Sequence, residues 1–167
     1  MPDFLDEVEA CVPALRRYAR ALTRDADRAD DLVQDCLERA IRKRSLWRPT
    51  GPLRAWLFRI LLNVYRNDLR RDRRAPMSFP IDTMASEPPS PADQPGRLAL
   101  ADTARALEQL TAEQREALLL VALEGLSYAE AASVLEIPLG TLMSRIARAR
   151  EALRALLEAP PRLRTVK

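Results

Sequence analysis

The chain has 167 residues, of which 47% are hydrophobic and 31% are charged, and its formal net charge is +3. These proportions indicate a globular protein of one medium domain or two small ones. The sequence contains no histidine, which excludes histidine-based nucleophilic catalysis and every metal site that needs an imidazole. Only four glycines are present, too widely spaced for a phosphate-binding loop or a dinucleotide fingerprint. Most familiar classes of enzyme are therefore excluded, and we expect a protein that is not an enzyme and takes no cofactor and no metal, with a small helical enzyme as a distant alternative.

Cysteine usage and the N-terminal sequence favour a cytoplasmic location. Cys11 and Cys36 lie on apolar helical stripes and are interpreted as buried structural thiols, with a redox pair as the alternative. The acidic N-terminus lacks the basic and apolar regions of a signal peptide. The longest apolar run, residues 117–123, has seven residues, whereas a membrane span needs roughly 20.

Six of the 13 prolines fall between Pro76 and Pro95, in a segment without a sustained hydrophobic period. This composition is typical of an extended linker. It separates two blocks that show helical periodicity and no strand periodicity. The sequence predicts an all-α protein of two small helical domains, residues 1–75 and 98–158, joined by a Pro-rich linker over 76–97 and followed by a tail over 159–167.

The first block begins with an apolar stripe from Phe4 to Leu22, which Pro13 is expected to split. A second helix is predicted over 25–44, with its apolar side formed by Ala29, Leu32, Val33, Cys36, Leu37, Ala40 and Ile41. Its polar side carries two acidic rows, one of Asp30, Gln34 and Glu38 and one of Asp31 and Asp35. Such a face suits a protein partner rich in Arg or Lys. A solvated face and a carboxylate site for acid–base or metal chemistry are the alternatives.

A third helix is predicted to open at Pro52, a favoured first-turn residue. Its apolar side is Leu53, Trp56 or Leu57, Ile60, Leu61, Val64 and Leu69. Its polar stripe is Arg59, Asn63, Arg66 and Arg70, adjoined by Trp56 and Asn67 and followed by Arg71. Cations, amides and an aromatic ring together favour binding of unpaired DNA. The alternative is a solvated basic face with Trp56 in the core.

The second block has clear helix boundaries. A helix is predicted over Leu98–Leu110, and capping boxes at Thr111–Gln114 and Ser127–Glu130 open the next two. Gly125 closes the first of these. A long helix over 141–157 follows, with Leu142, Ile146, Ala149, Leu153 and Leu156 inward. A short helix, a tight turn and an Arg-rich helix form a helix-turn-helix pattern. Arg145 and Arg148 are then placed to meet base edges or phosphates, unless they only solvate the helix.

Three segments in this order resemble bacterial sigma factors of the extracytoplasmic-function (ECF) group. They are Asp30-Asp-Leu-Val-Gln-Asp35, Trp56-Leu-Phe-Arg-Ile-Leu-Leu-Asn63 with Arg66-Asn67, and Leu139-Gly-Thr-Leu-Met-Ser-Arg-Ile-Ala-Arg-Ala-Arg150. The resemblance covers about residues 8–75 and 98–158 and implies sigma region 2 and sigma region 4. It implies a promoter-specificity subunit of RNA polymerase for a stress or envelope regulon.

The resemblance assigns roles by position. Core RNA polymerase would bind Asp30, Asp31, Leu32, Gln34 and Asp35. The minus-10 promoter element would be melted and read by Trp56, Arg59, Asn63, Arg66 and Asn67, with Arg70 and Arg71 beside them, and Asn67 matches a residue of the family's base-capture loop. The minus-35 element would be read by Thr141, Met143, Ser144, Arg145, Ala147 and Arg148.

Many members of the family have Lys or Arg at the position of Met143, and some have a bulky aromatic residue at the position of Ala147. The resemblance therefore predicts docking at a minus-35 element without predicting its sequence. The resemblance also implies an anti-sigma factor as a partner, with no small-molecule substrate, and we expect a monomer when the chain is free. Two other classes stay open. One is a sigma-like interaction protein that sequesters an anti-sigma factor, and the other is a dimeric helix-turn-helix repressor.

Overall fold

The computed structural model describes residues 3–75 and 94–158, which form seven α-helices and no β-strand. The helices are α1 (Phe4–Thr23), α2 (Ala26–Arg42), α3 (Leu53–Arg74), α4 (Gln94–Glu108), α5 (Ala112–Leu118), α6 (Tyr128–Leu135) and α7 (Leu139–Glu158). The all-α prediction is confirmed. Within the described ranges, no helix has the length and apolarity that a bilayer crossing requires.

Helix α1 is continuous through Pro13, so the predicted break at this residue is wrong. The Pro13 ring lies on the exposed side of α1, whereas Leu15, Tyr18 and Ala19 on the other side are fully buried. A proline removes one helical N–H, but tertiary packing supplies most of a helix's stability. The buried apolar side therefore holds α1 together across the missing hydrogen bond.

Helix α2 packs against α1 and α3 through the apolar side that its periodicity predicts. Ala29, Leu32, Val33, Cys36 and Ala40 are buried and Leu37 is half-buried. Ile41 was expected to be inward but is 49% exposed, because it lies in the last turn, past the end of the packed stripe. A short 3₁₀ helix, Arg44–Leu46, leads away from α2 toward α3.

Helix α3 is buried on more of its circumference than the sequence predicts. Besides the expected residues, Phe58, Leu62 and Tyr65 are buried. The reason is that α3 contacts α1, α2 and also α6 of the C-terminal half. The Phe58 ring packs edge-on against Tyr18, with ring centroids 5.2 Å apart. Helix α3 is thus the central element of the molecule.

In the C-terminal half, α4 begins at Gln94, four residues before the predicted start at Leu98. The end of the predicted 76–97 linker is therefore helical, while 76–93 and the 159–167 tail lie outside the described residues. Both predicted capping boxes are confirmed, at Thr111 with Gln114 and at Ser127 with Glu130. Arg115 also holds the end of α4, because its guanidinium donates to the carbonyl oxygens of Leu107, Glu108 and Leu110 at 2.9–3.1 Å.

Helix α5 continues into a π-helical turn, Leu119–Leu123, before Gly125 ends it with a φ of +69°. Glycine adopts this left-handed conformation without the steric cost that a Cβ atom brings. Helix α6, the turn at Glu136 and helix α7 then form the predicted helix-turn-helix. Leu142, Ile146 and Ala149 are buried as expected. Leu156 is 40% exposed, contrary to prediction, because the last turns of α7 extend beyond the packed helices.

The ionisation of Cys36 gives a testable dependence of stability on pH. Its thiol is fully buried and donates to the Leu57 carbonyl oxygen, and burial raises its pKa to about 12. The pKa of a cysteine thiol in an unfolded chain is about 8.5. The folded state therefore keeps a proton that the unfolded state loses, and this stabilisation is present below pH 8.5 and is lost as the pH rises toward 12, by about 1.4 kcal/mol per pH unit.

We expect the free energy of unfolding of the natural chain to fall by about 2 kcal/mol more than that of Cys36→Ala between pH 8 and pH 10. Urea unfolding of both proteins at the two pH values measures this difference. The alanine variant loses the same packing energy at both pH values. The cost of the cavity therefore cancels when the change in the free energy of unfolding between pH 8 and pH 10 is compared. Equal losses in the two proteins would contradict a buried, protonated thiol.

Candidate nucleic-acid and polymerase interfaces

The acidic face of α2 is open to solvent. Asp30, Asp31, Gln34 and Asp35 are exposed, so the side chains predicted for polymerase binding are available to a partner. Leu32 from the same predicted set is only 3% exposed. Its side chain belongs to the core between the helices, where it fixes the position of α2 and does not form part of the surface.

The polar stripe of α3 is divided into a free part and a covered part. Asn63, Asn67, Arg70 and Arg71 are exposed. Asn67 lies inside α3 and not in a loop, so the match to a loop residue does not describe its backbone. The exposed amides and guanidinium groups still provide hydrogen-bond donors and positive charge along one helix.

Trp56 is divided between the core and the surface. Its ring is half-buried and lies edge-on to Phe4, with centroids 6.4 Å apart, and Phe4 also contacts Trp47 at 5.7 Å. The three rings close the N-terminal end of the helical core. Trp56 therefore packs against the core and keeps only part of its surface for a ligand.

Arg59 and Arg66 form the covered part of the stripe, because both are hydrogen-bonded to the C-terminal half. Arg59 Nη2 donates to the carbonyl oxygen and Oγ of Ser133, at 2.8 and 2.9 Å. Arg66 forms a two-point ion pair with Glu116, at 3.3 Å from Nε and 2.6 Å from Nη2. This pairing raises the pKa of the Arg66 guanidinium, since it stabilises the charged form.

A second ion-pair cluster between the halves was not predicted. The Glu124 carboxylate is fully buried and accepts hydrogen bonds from Arg17 at 3.0 and 2.8 Å and from Arg54 at 2.8 Å. Arg54 also donates to the Glu124 carbonyl oxygen at 2.7 Å and lies over the Phe58 ring at 5.5 Å. The hydrogen bond to Glu124 raises the pKa of Arg17.

The sequence held one signal for this cluster. Glu116 and Glu124 directly flank the apolar run 117–123, and carboxylates so close to a buried helical segment must be paired. What the sequence does not contain is the identity of their partners. These lie 50 to 107 positions away along the chain.

The N-terminal half of α7 is mostly free. Met143, Ser144, Ala147 and Arg148 are exposed, while Thr141 and Arg145 are half-buried. Arg145 Nη2 lies 3.5 Å from a Glu113 carboxylate oxygen, which orients the guanidinium from the neighbouring helix α5. Four of the six predicted residues are therefore fully accessible on one edge of α7. Thr141 is partly accessible beside them, and Arg145 is partly covered by its contact with Glu113.

The acidic and basic surfaces of the N-terminal half meet at a shallow cavity of about 220 Å³ between α2 and α3. An Arg28–Asp72 ion pair of 2.8 Å crosses it. Its lining includes Asp31 from the predicted polymerase surface and Arg71 from the predicted DNA surface. Among residues 3–75 and 94–158 no group of three or more metal-ligating side chains is found.

Two family models match the chain. Residues 8–62 match the Sigma2 domain of PhyR, and residues 100–153 match region 4 of sigma-70. Over 156 residues the chain is 43% identical to the ECF RNA polymerase sigma factor EcfG of Rhodopseudomonas palustris, which covers 91% of this chain and 83% of that protein.

Solved structures give the same result. The sigma factor RpoE of Bartonella quintana, in complex with the anti-sigma factor NepR, is 34% identical with a TM-score of 0.78, covering 95% of this chain and 99% of that one. CnrH, a sigma factor of Cupriavidus metallidurans, in complex with the cytosolic domain of CnrY, is 37% identical with a TM-score of 0.68, covering 90% and 84%. The chain therefore belongs to the ECF sigma factors of bacterial RNA polymerase, a family of non-enzymatic transcription initiation factors.

Proposed function

We propose that this chain binds core RNA polymerase and directs it to promoters through separate surfaces on three helices. The observation that carries the proposal is the separation of charge. The acidic face of α2, with exposed Asp31 and Asp35, suits a basic protein surface, while the exposed polar edges of α3 and α7 suit DNA. One chain that joins a polymerase-binding face to two DNA-binding faces acts as an adaptor.

The minus-35 element is read by the N-terminal half of α7. A helix-turn-helix inserts this part of its second helix into the major groove. Arg148 is exposed there and can pair with a guanine edge, which contributes roughly 1–3 kcal/mol of base discrimination. Met143 is 50% exposed and offers an apolar contact for a thymine methyl group.

The minus-10 element is melted and read by α3. Opening a promoter replaces paired, stacked bases with single-stranded bases, which need new contacts to charge, amides and rings. Asn63 and Asn67 supply amides, and Arg70 and Arg71 supply charge for the phosphates. The energy comes from binding alone, and the contact with polymerase adds avidity by tethering both DNA-binding halves.

Two relatives support regulation by a protein partner. RpoE of Bartonella quintana is described in complex with the anti-sigma factor NepR, and CnrH in complex with the cytosolic domain of CnrY. We propose that this chain likewise works in the cytoplasm, is a monomer when free, controls a stress or envelope regulon, and is sequestered by an anti-sigma factor.

A second candidate is a sigma-like protein that sequesters an anti-sigma factor and never contacts DNA. The match of residues 8–62 to the Sigma2 domain of PhyR favours it, because PhyR of Bartonella quintana is described as an anti-anti-sigma factor in complex with the anti-sigma factor NepR. The exposed Arg148 on α7 and Arg70 on α3 favour the sigma factor instead, because a sequestering protein has no need of exposed cations on both predicted DNA helices.

Run-off transcription separates the candidates. Core RNA polymerase is incubated with fragmented genomic DNA of the source organism, with and without the chain. We expect discrete new transcripts that depend on the added protein. Absence of transcripts with duplex DNA binding intact would favour a repressor. Absence of both, with tight binding to an anti-sigma factor, would favour the sequestering protein.

The role of α7 is tested by Arg148→Ala in a gel-shift assay on a promoter found by run-off transcription. We expect duplex binding to weaken by about 1–3 kcal/mol, with binding to core polymerase unchanged. Arg154→Ala, an exposed arginine nearly two turns further along α7, is the control and should bind normally. Loss of polymerase binding in Arg148→Ala would contradict the separation of surfaces.

The role of α2 is tested by the double variant Asp31→Arg and Asp35→Arg. Both side chains are exposed, so the fold should tolerate the change, while the reversed charge should abolish association with core polymerase in a pull-down. The variant Glu151→Arg with Glu158→Arg makes the same change of net charge on α7 and controls for it. Undiminished association of the α2 variant would refute this docking face.

A further inference from the structure

We propose that the free chain rests in a closed form, in which Glu116 and Glu124 hold its two halves together and withhold Arg59 and Arg66 from DNA. The inference rests on the proposed function of α3. It follows from a conflict on the surface of that helix: two of the four members of its polar stripe, Arg59 and Arg66, bind the C-terminal half. Domain docking and single-stranded DNA binding by the full stripe are therefore alternatives, while Asn63, Asn67, Arg70 and Arg71 stay exposed in both.

The two carboxylates are the anchors of the closed form. The Glu124 side chain is 0% exposed and the Glu116 side chain 5% exposed. Every hydrogen bond that the described residues donate to these two carboxylates comes from an arginine of α1 or α3. Buried carboxylates require such partners. The Tyr18 hydroxyl adds a neutral contact, because it donates to the Glu116 carbonyl oxygen at 3.1 Å.

The π-helical turn explains how one short helix presents both carboxylates to the same neighbours. Glu116 and Glu124 are eight positions apart, which in a regular α-helix places them about 80° apart around the axis. The π turn Leu119–Leu123 accommodates one extra residue and so removes about 100° of rotation. The two side chains then differ by only about 20° and face α1 and α3 together.

In the closed form, N–H donors of Arg59 and Arg66 are already used in hydrogen bonds to the C-terminal half. Arg66 directs both Nε and Nη2 at Glu116, leaving little of its fork for a phosphate. Arg59 directs Nη2 at Ser133 of α6, and its Nε is buried without a partner in the described structure. DNA that used the full stripe of α3 would have to occupy the position of α6. Opening exposes these donors and returns both carboxylates to water.

The recognition edge of α7 is free of this conflict. Met143, Ser144 and Arg148 are exposed while the halves are closed. The closed form therefore blocks one DNA-binding surface selectively. Removing the anchors should expand the chain and strengthen its binding of single-stranded DNA.

The test uses the full chain carrying Glu116→Gln and Glu124→Gln, which keeps side-chain size and removes the ionic contacts. Small-angle X-ray scattering reports the radius of gyration, for which about 15 Å is the compact limit at this length. Fluorescence anisotropy with a labelled, mixed-sequence 20-nucleotide single strand reports the dissociation constant. We expect a larger radius of gyration and a dissociation constant lower by about tenfold, as a binding-competent state becomes populated.

Two further variants keep the result interpretable. Glu151→Gln with Glu158→Gln removes the same charge from exposed positions of α7. This control should have the radius of gyration and the dissociation constant for single-stranded DNA of the natural chain. Arg17→Ala removes one partner of Glu124 from the half-exposed surface of α1, outside the proposed DNA residues. It should produce a smaller expansion and a smaller gain in affinity, and circular dichroism confirms that each variant is folded.

An unchanged radius of gyration in both the double glutamine variant and Arg17→Ala would overturn the role of the carboxylates as anchors. Expansion without a gain in affinity would overturn the competition with DNA. Failure of the proposed function has a different signature, in which the expanded chain binds no single strand at all. Expansion with tighter binding, absent from the charge-matched control, would support the proposal.

Discussion

The structure depends on the burial of two carboxylates between its halves. An unpaired carboxylate in an apolar interior is strongly destabilising, and removal of one partner from a buried pair typically costs about 3–5 kcal/mol. Glu124 and Glu116 avoid that cost only while α1 and α3 supply guanidinium groups. The same contact between the halves buries an additional side of α3, and the apolar core runs continuously from α1 to α7.

The two helices that we propose to bind DNA are consequently unequal. The edge of α7 proposed to read duplex DNA faces solvent, whereas two cations of the α3 stripe, Arg59 and Arg66, contact the other half of the chain. Asn63 and the C-terminal end of α3, with Asn67, Arg70 and Arg71, remain exposed. Under the proposed function, a duplex site can thus be bound by α7 while the halves are closed, whereas the full stripe of α3 becomes available only after opening.

Capping residues and hydrophobic periodicity correctly predicted where helices begin and which side of α2 is buried, because contacts within a few residues determine both. The capping boxes at Thr111 and Ser127 set helix starts through contacts three residues away, and the periodicity of α2 set its buried side. The errors arose where distant packing decides. Pro13 is tolerated because the opposite side of α1 is buried, and Phe58 and Tyr65 are covered by elements that periodicity within α3 does not reveal. The polar faces were identified, but the partners of Arg59 and Arg66 were not, because no local rule relates positions so far apart.

The π-helical turn makes the segment between the two glutamates respond differently to the loss and to the gain of a residue. Point substitutions within Leu119–Leu123 alter packing but leave the number of residues between the two glutamates unchanged. Deleting one residue there would let α5 relax to a regular α-helix in which the two glutamates, then seven positions apart, still differ by only about 20° around the axis. Adding a residue would instead rotate Glu124 by about 100° relative to Glu116. Diverging sequences could therefore lose the extra residue and keep both carboxylates facing α1 and α3, whereas a gain would separate them.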